Sequence, residues 1–137
     1  RASPSRLPPR SSAVALSAAA FISSCNKSDH QPQPPAPKFQ VVAPVANQVY
    51  NQGDTIFMHA IVTADLTLHG YHIWLTNPST GDSLFHVHEH AHATMLEAKH
   101  HWVDTFSSSA DLLFTISTAI NHDGDVAVKE VPIKVLP

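Results

Sequence analysis

The 137-residue chain has a single cysteine, Cys25. No disulfide can form within it, and whatever folds must hold together by packing. Arginine ends at Arg10, and the formal net charge is -3 with neutral histidine. A surface that neutralises phosphates needs a surplus of Lys and Arg, so nucleic acid is excluded as a partner. Only 14% of residues are charged, and there are 4 glycines against 11 prolines. The shortage of helix-favouring charged residues points to an all-β chain. The apolar run Ala13–Ile22 falls well short of the roughly 20 residues that a membrane-spanning helix needs. No serine stands in a pattern that pairs a nucleophile with its base. Ser107-Ser108-Ser109 reads as a polar loop, so no enzyme activity is expected.

Histidine is what the chain has in abundance. There are 11, and 6 of them lie between His86 and His101. In Leu84-Phe85-His86-Val87-His88-Glu89-His90-Ala91-His92 they recur at every second position, the side-chain period of a β-strand. As a strand, this run puts His86, His88, His90 and His92 on one face and Phe85, Val87 and Ala91 on the other, with Glu89 the only charge among them. Imidazole is the commonest protein ligand for zinc, copper and nickel, so metal binding is the leading expectation. Residues i and i+2 of a strand are about 6.6 Å apart, so His86 and His92 are separated by about 20 Å and no one ion can use all four. Neighbouring pairs can chelate, with further ligands from an adjacent strand or loop. His100 and His101 are the nearest candidates, if their strand pairs antiparallel with the histidine strand. His101 shares its face with Glu97 and Lys99 and is the better placed of the two. The expected ligand set is therefore His86, His88, His90, His92, His101 and His100. The ion is Cu(II), Zn(II) or Ni(II); with no thiol at the site and no Met cluster, Cu(I) is disfavoured. His59, His69, His72 and His122 read as structural or solvated, and His30 as idle in a linker.

The first 24 residues read as an address. Arg1, Arg6 and Arg10 precede the apolar run, which ends in the small residues Ser23-Ser24-Cys25, the pattern of a signal peptide. Residues 25–38, with Pro32, Pro34, Pro35 and Pro37, read as a linker biased to polyproline II. From residue 39 to 137, strand signals follow at short intervals: Phe39–Ala43, Thr55–Val62, Leu68–Thr76, the histidine run, Met95–Val103, Leu112–Ile120 and Val126–Val135. Turn signals separate them, most clearly Asn51–Asp54 and Asn77–Asp82. Pro132 lacks a ladder donor and places its strand at an edge or bulge. About seven strands in a chain of this length predict a β-sandwich of immunoglobulin-like architecture.

Three resemblances add to this. Ile22-Ser23-Ser24-Cys25 resembles the lipobox of bacterial lipoproteins, which implies lipidation of Cys25, a membrane anchor there and a cell-envelope location, at the outer membrane. With the linker, Gly53-Asp54-Thr55-Ile56, Leu68-His69-Gly70-Tyr71-His72-Ile73 and the histidine-rich centre, nearly the whole chain looks like small Bacteroidota lipoproteins carrying one Ig-like domain, a resemblance that implies location and fold but no chemistry. Phe85-His86-Val87-His88-Glu89 resembles the first copper-ligand motif of Cu/Zn superoxide dismutases. That family also implies a small residue at Leu84, Gly or Pro at Ala91, an internal disulfide and a C-terminal Arg motif, all of which this chain lacks. The match therefore reads as local convergence on a His-x-His chelate. The function expected is metal sequestration or delivery at the envelope. The alternative is an adhesion or glycan-binding module with His72, Trp74 and Trp102 as its contact patch, and a third reading is a pH-responsive surface.

Overall fold

A computed structural model describes residues 35–137. The expected signal peptide, Cys25 and most of the expected linker lie outside the described residues. Among those residues there are eight strands: β1 (Lys38–Ala43), β2 (Val49–Asn51), β3 (Thr55–Leu68), β4 (Tyr71–Asn77), β5 (Asp82–Glu89), β6 (Ala93–Val103), β7 (Ala110–Ala119) and β8 (Val126–Leu136). They contain no helix, and hence none long and apolar enough to cross a membrane.

Period-two alternation builds the core. Ile56, Met58, Ala60 and Val62 of β3 turn inward with Leu96 and Ala98 of β6. They pack against Ile73 and Leu75 of β4, Leu112, Phe114 and Ile116 of β7, and Val131, Ile133 and Val135 of β8. One sheet has the order β1-β3-β6 and the other β2-β8-β7-β4-β5. Neighbours are antiparallel except β2 and β8. The chain changes sheet between β1 and β2, β2 and β3, β3 and β4, β5 and β6, and β6 and β7, which makes this an immunoglobulin-like β-sandwich. No cross-link shares the load, so truncating the fully buried Phe114 to alanine removes about 3–5 kcal/mol.

The structure departs from the sequence expectation in four places, the last being the division of the histidine run, whose strand ends at Glu89. An eighth strand, β2, runs parallel to Lys134–Leu136 of β8. At three residues it is too short to show a period. Strand β3 continues past Val62 to Leu68, with a register break after Thr63, and β4 begins only at Tyr71. The third departure concerns the site. The strand carrying His100 and His101, β6, does not pair with the histidine strand. It pairs with β3, while β5 pairs with β4 across the Asn77–Asp82 turn. The reason is burial: Leu96 and Ala98 close the β3 side of the core, and Phe85 and Val87 pack on the β4 side. A bulge at Leu84, where Leu75 opposes Phe85 but Thr76 opposes Ser83, lets Leu84 and Phe85 both pack against the core. Pro132 lies on a stretch of β8 that β2 does not reach, where its carbonyl accepts the Asn47 N–H at 2.7 Å.

One glycine positions the site. Gly70, in the two-residue turn from β3 to β4, has φ +102°, and a Cβ there would collide with the Glu89 carbonyl oxygen at the end of β5. Its own carbonyl accepts the buried Thr118 hydroxyl of β7 at 2.7 Å. Gly70→Ala meets both the left-handed backbone and the collision, and is expected to cost about 2 kcal/mol or more. The urea midpoint should fall with the slope unchanged; an unaltered midpoint would show that the β5 end yields freely.

Candidate functional site

The histidine run does not remain one strand. Strand β5 ends at Glu89, and the four alternating histidines divide into two groups.

His86 and His88 stay on the outer face of the five-stranded sheet. Their partners come from β4: His88 is opposite His72, and His86 is opposite Trp74. The four rings stand nearly parallel. His72 stacks on His88 with centroids 4.0 Å apart at 3° and lies 5.1 Å from Trp74 at 7°. Trp74 lies 5.0 Å from His86 at 7°. On the diagonal, His72 Nδ1 is 3.2 Å from His86 Nε2. Burial, and then the neighbouring His88 and His86, lower the pKa of His72 below the usual 6.5.

His90 and His92 lie in the connection from β5 to β6, at one end of the sandwich. There they meet His69 of the β3–β4 turn and His122 of the β7–β8 loop. His92 is central: its Nδ1 is 3.1 Å from His69 Nδ1, and its Nε2 is 3.0 Å from His90 Nε2. The His122 ring centroid is 4.2 Å from that of His69. A neutral imidazole has one N–H, so His92 donates to one neighbour and accepts from the other. The pKa of His69 is lowered from 6.5 by desolvation and then by His122, His92 and His90.

Backbone contacts assemble this end. His69 N–H donates to the Ala119 carbonyl at 3.2 Å, and Ile120 N–H to that of Asp125 at 3.0 Å. The Asn121 side chain braces the β7–β8 loop: its amide donates to Asp125, and its oxygen accepts the N–H groups of Asp123 and Asp125. The loop carrying His122 is therefore braced rather than free to swing.

The remaining candidates are elsewhere. His100 turns inward, and its Nε2 is hydrogen-bonded to the Tyr71 phenol oxygen at 3.0 Å, while burial and then Glu89 raise the Tyr71 pKa. His101 sits on the outer face of the other sheet, 6.4 Å from the Phe57 ring. His59 donates to Glu97 at 2.9 Å, and Lys99 and His59 together hold the Glu97 carboxyl below its ordinary pKa. Neither His100 nor His101 joins the other four. Trp102 packs beside Phe106 on the other sheet, so it does not form a patch with His72 and Trp74.

Two imidazole nitrogens on one ion, each bonded at about 2.0–2.1 Å, lie about 2.9 Å apart when cis in a square plane and about 3.3 Å apart in a tetrahedron. The three N···N separations, 3.0, 3.1 and 3.2 Å, fall inside that interval. They are also N–H···N hydrogen-bond lengths, which is how the rings pair without an ion. Among the described residues no three His, Cys, Asp or Glu side chains converge as they stand on one metal position. As they stand the rings pair two by two, and an ion held by any one pair would need further ligands from solvent or a rotated ring.

Sequence reasoning read His69, His72 and His122 as structural or solvated, and His72 otherwise only as part of an adhesion patch, not as partners of the histidine run. For His72 a signal existed: a hairpin closed by Asn77–Asp82 brings the preceding strand against the histidine strand on the same face. For His69 and His122 there was none, since each sits in a turn whose neighbours are far away in sequence.

No protein-family model matches the chain, and no curated protein matches it in sequence. Among solved structures it is similar to the fibronectin(III)-like modules of CbhA from Clostridium thermocellum, at 15% identity and a TM-score of 0.44, over 72% of this chain and 96% of that one. It is also similar to the CARDB domain of a Pyrococcus furiosus protein, solved in complex with di-metal ions, at 11% identity and a TM-score of 0.44, over 76% of this chain and 96% of that one. The immunoglobulin-like assignment rests on the strand order; no residue role is transferred from either structure.

The lowered pKa values fix a pH dependence. Above the ordinary value of 6.5 both His69 and His72 are neutral, folded or unfolded. As pH falls through that value the unfolded chain takes up protons first, so the native state loses stability until pH drops below the folded values. The melting temperature should therefore fall between about pH 7.5 and about pH 5.5, and less so in His69→Gln/His72→Gln. Equal slopes in the two proteins would contradict this.

Proposed function

We propose that this chain is an exported, lipid-anchored module that takes up a divalent transition metal at the histidine-lined end of its immunoglobulin-like sandwich, for sequestration or delivery. The observation that carries this is His92, whose two ring nitrogens lie 3.1 and 3.0 Å from nitrogens of His69 and His90. An ion that displaces the shared proton takes either pair at chelating distance. Rotation of the exposed His122 ring, a motion of picoseconds to nanoseconds, supplies a third imidazole beside His69. All donors are nitrogen, which suits Cu(II), Zn(II) and Ni(II) and favours Cu(II) at equal availability. The role is binding rather than catalysis, and an immunoglobulin-like fold is consistent with a binding module.

The proposed address rests on the N-terminal pattern. Cys25 after Ile22-Ser23-Ser24 is the proposed lipidation site, and acyl chains there would hold the protein to a membrane surface in the cell envelope, at the outer membrane. Outside the cytosol, a histidine cluster meets metal that intracellular ligands would otherwise hold. An adhesion surface built on His72, Trp74 and Trp102 is the weaker reading, because the two tryptophans lie on different sheets.

Calorimetric titration of the protein with Cu(II), Zn(II) and Ni(II), beside His69→Gln/His92→Gln, tests the proposal. Saturable binding is expected, with one component weakened at least about tenfold in the variant. Its affinity should also fall as pH drops below about 6, because protons compete for the same nitrogens. Binding no tighter than about 0.1 mM, roughly −5.5 kcal/mol, or isotherms identical in parent and variant, would overturn it.

A further inference from the structure

The outer face of the β4–β5 hairpin is built differently from the loop end. Its histidines stand on strands. β4 is paired on both sides, to β5 and to β7, and its alternate residues Ile73 and Leu75 are fully buried, so His72 and Trp74 project from an interior strand of the sheet. His72 is clamped: His88 covers it at 4.0 Å, and Trp74 stands beside it at 5.1 Å, all within 7° of parallel. That clamp leaves Nδ1 of His72 directed at Nε2 of His86, 3.2 Å away. The two rings are parallel to within 6° with centroids 5.5 Å apart, so these nitrogens face each other across a hydrogen bond, and an ion seated on the His72 lone pair needs the exposed His86 ring on the edge strand to swing aside and re-aim its nitrogen.

We infer that His72 and His86 form a second transition-metal site, independent of the loop end, in which His72 Nδ1 and His86 Nε2 are cis ligands and solvent fills the remaining positions. The ligand class is a divalent ion that accepts two imidazoles and open coordination positions, Cu(II) foremost. His88 is a positioning residue here; it stacks on His72 and fixes its plane. The site rests on its own geometry and stands whether or not the loop-end reading does. No histidine is shared between the two, since His69, His90, His92 and His122 all lie beyond the ends of these strands.

The site carries its own reporter. Trp74 lies 5.0 Å from His86 and 5.1 Å from His72, close enough for a bound paramagnetic Cu(II) to quench its emission. Trp102, on the other sheet, can be silenced as Trp102→Phe. In that background, Cu(II) titration should quench Trp74 emission saturably. His86→Gln, an exposed edge-strand change whose fold is checked by circular dichroism, should shift the midpoint upward at least about tenfold. Zn(II), with its filled d shell, should not quench but should raise the Cu(II) midpoint by competition. His69→Gln/His92→Gln should leave the quenching curve unchanged, so failure at the loop end appears in calorimetry and failure at the hairpin appears in fluorescence. An unaltered midpoint in His86→Gln, quenching that never saturates, or quenching abolished by the loop-end variant would each overturn the inference.

Discussion

The histidine arrangement depends on one close passage of backbone, where the end of β5 runs against Gly70. Glu89 and His90 occupy the space that any side chain at position 70 would need, and the Thr118 hydroxyl holds the Gly70 carbonyl from the other side. Three connections are brought together by this: the β3–β4 turn with His69, the β5–β6 loop with His90 and His92, and, through Ala119, the start of the β7–β8 loop with His122. The energetics are asymmetric. The Thr118 bond itself contributes about 1 kcal/mol, but losing it leaves a buried carbonyl unpaired, at a cost of about 1–3 kcal/mol. In a domain without a disulfide, such small locked contacts decide where its loops lie.

From one run of alternating histidines the fold makes two environments. On the hairpin, rings stand on paired strands and are held parallel by stacking, with the His72 and His86 nitrogens paired head-on until an ion draws His86 aside. At the loop end, rings from three connections meet edge to edge, with His92 passing hydrogen bonds to both sides. The first suits an ion content with two protein ligands and open positions; the second can gather more ligands, but only by rotating exposed rings. The same crowding depresses the basicity of His69 and His72, which keeps their lone pairs available near neutral pH.

Much of this was legible in the sequence. Strict alternation in Thr55–Val62, Tyr71–Thr76 and Val131–Val135 marked the buried faces, and Asn51–Asp54 and Asn77–Asp82 marked the turns, because side-chain period and turn chemistry are local properties. That His86 and His88 face outward followed from the same alternation. What was not legible is non-local. Whether β6 lies beside β5 or across the sandwich is decided by which apolar faces must meet, and Leu96 and Ala98 are needed on the β3 side. Likewise His69 and His122 are unremarkable turn residues until Gly70 and Thr118 bring their turns to the same end. The short β2 escaped notice because three residues carry no period.

The central claim is that histidines at the loop end and on the hairpin coordinate metal while the others do not. Imidazole nitrogen NMR of the 15N-histidine-labelled protein, titrated with Zn(II) near pH 7, tests it most directly. The account predicts coordination shifts at His92 with His69 or His90, and at His72 with His86. His59, held by Glu97, and His100, held by Tyr71, should keep their resonances unchanged. Shifts confined to His59, His100 and His101, or equal weak shifts across all histidines, would contradict it.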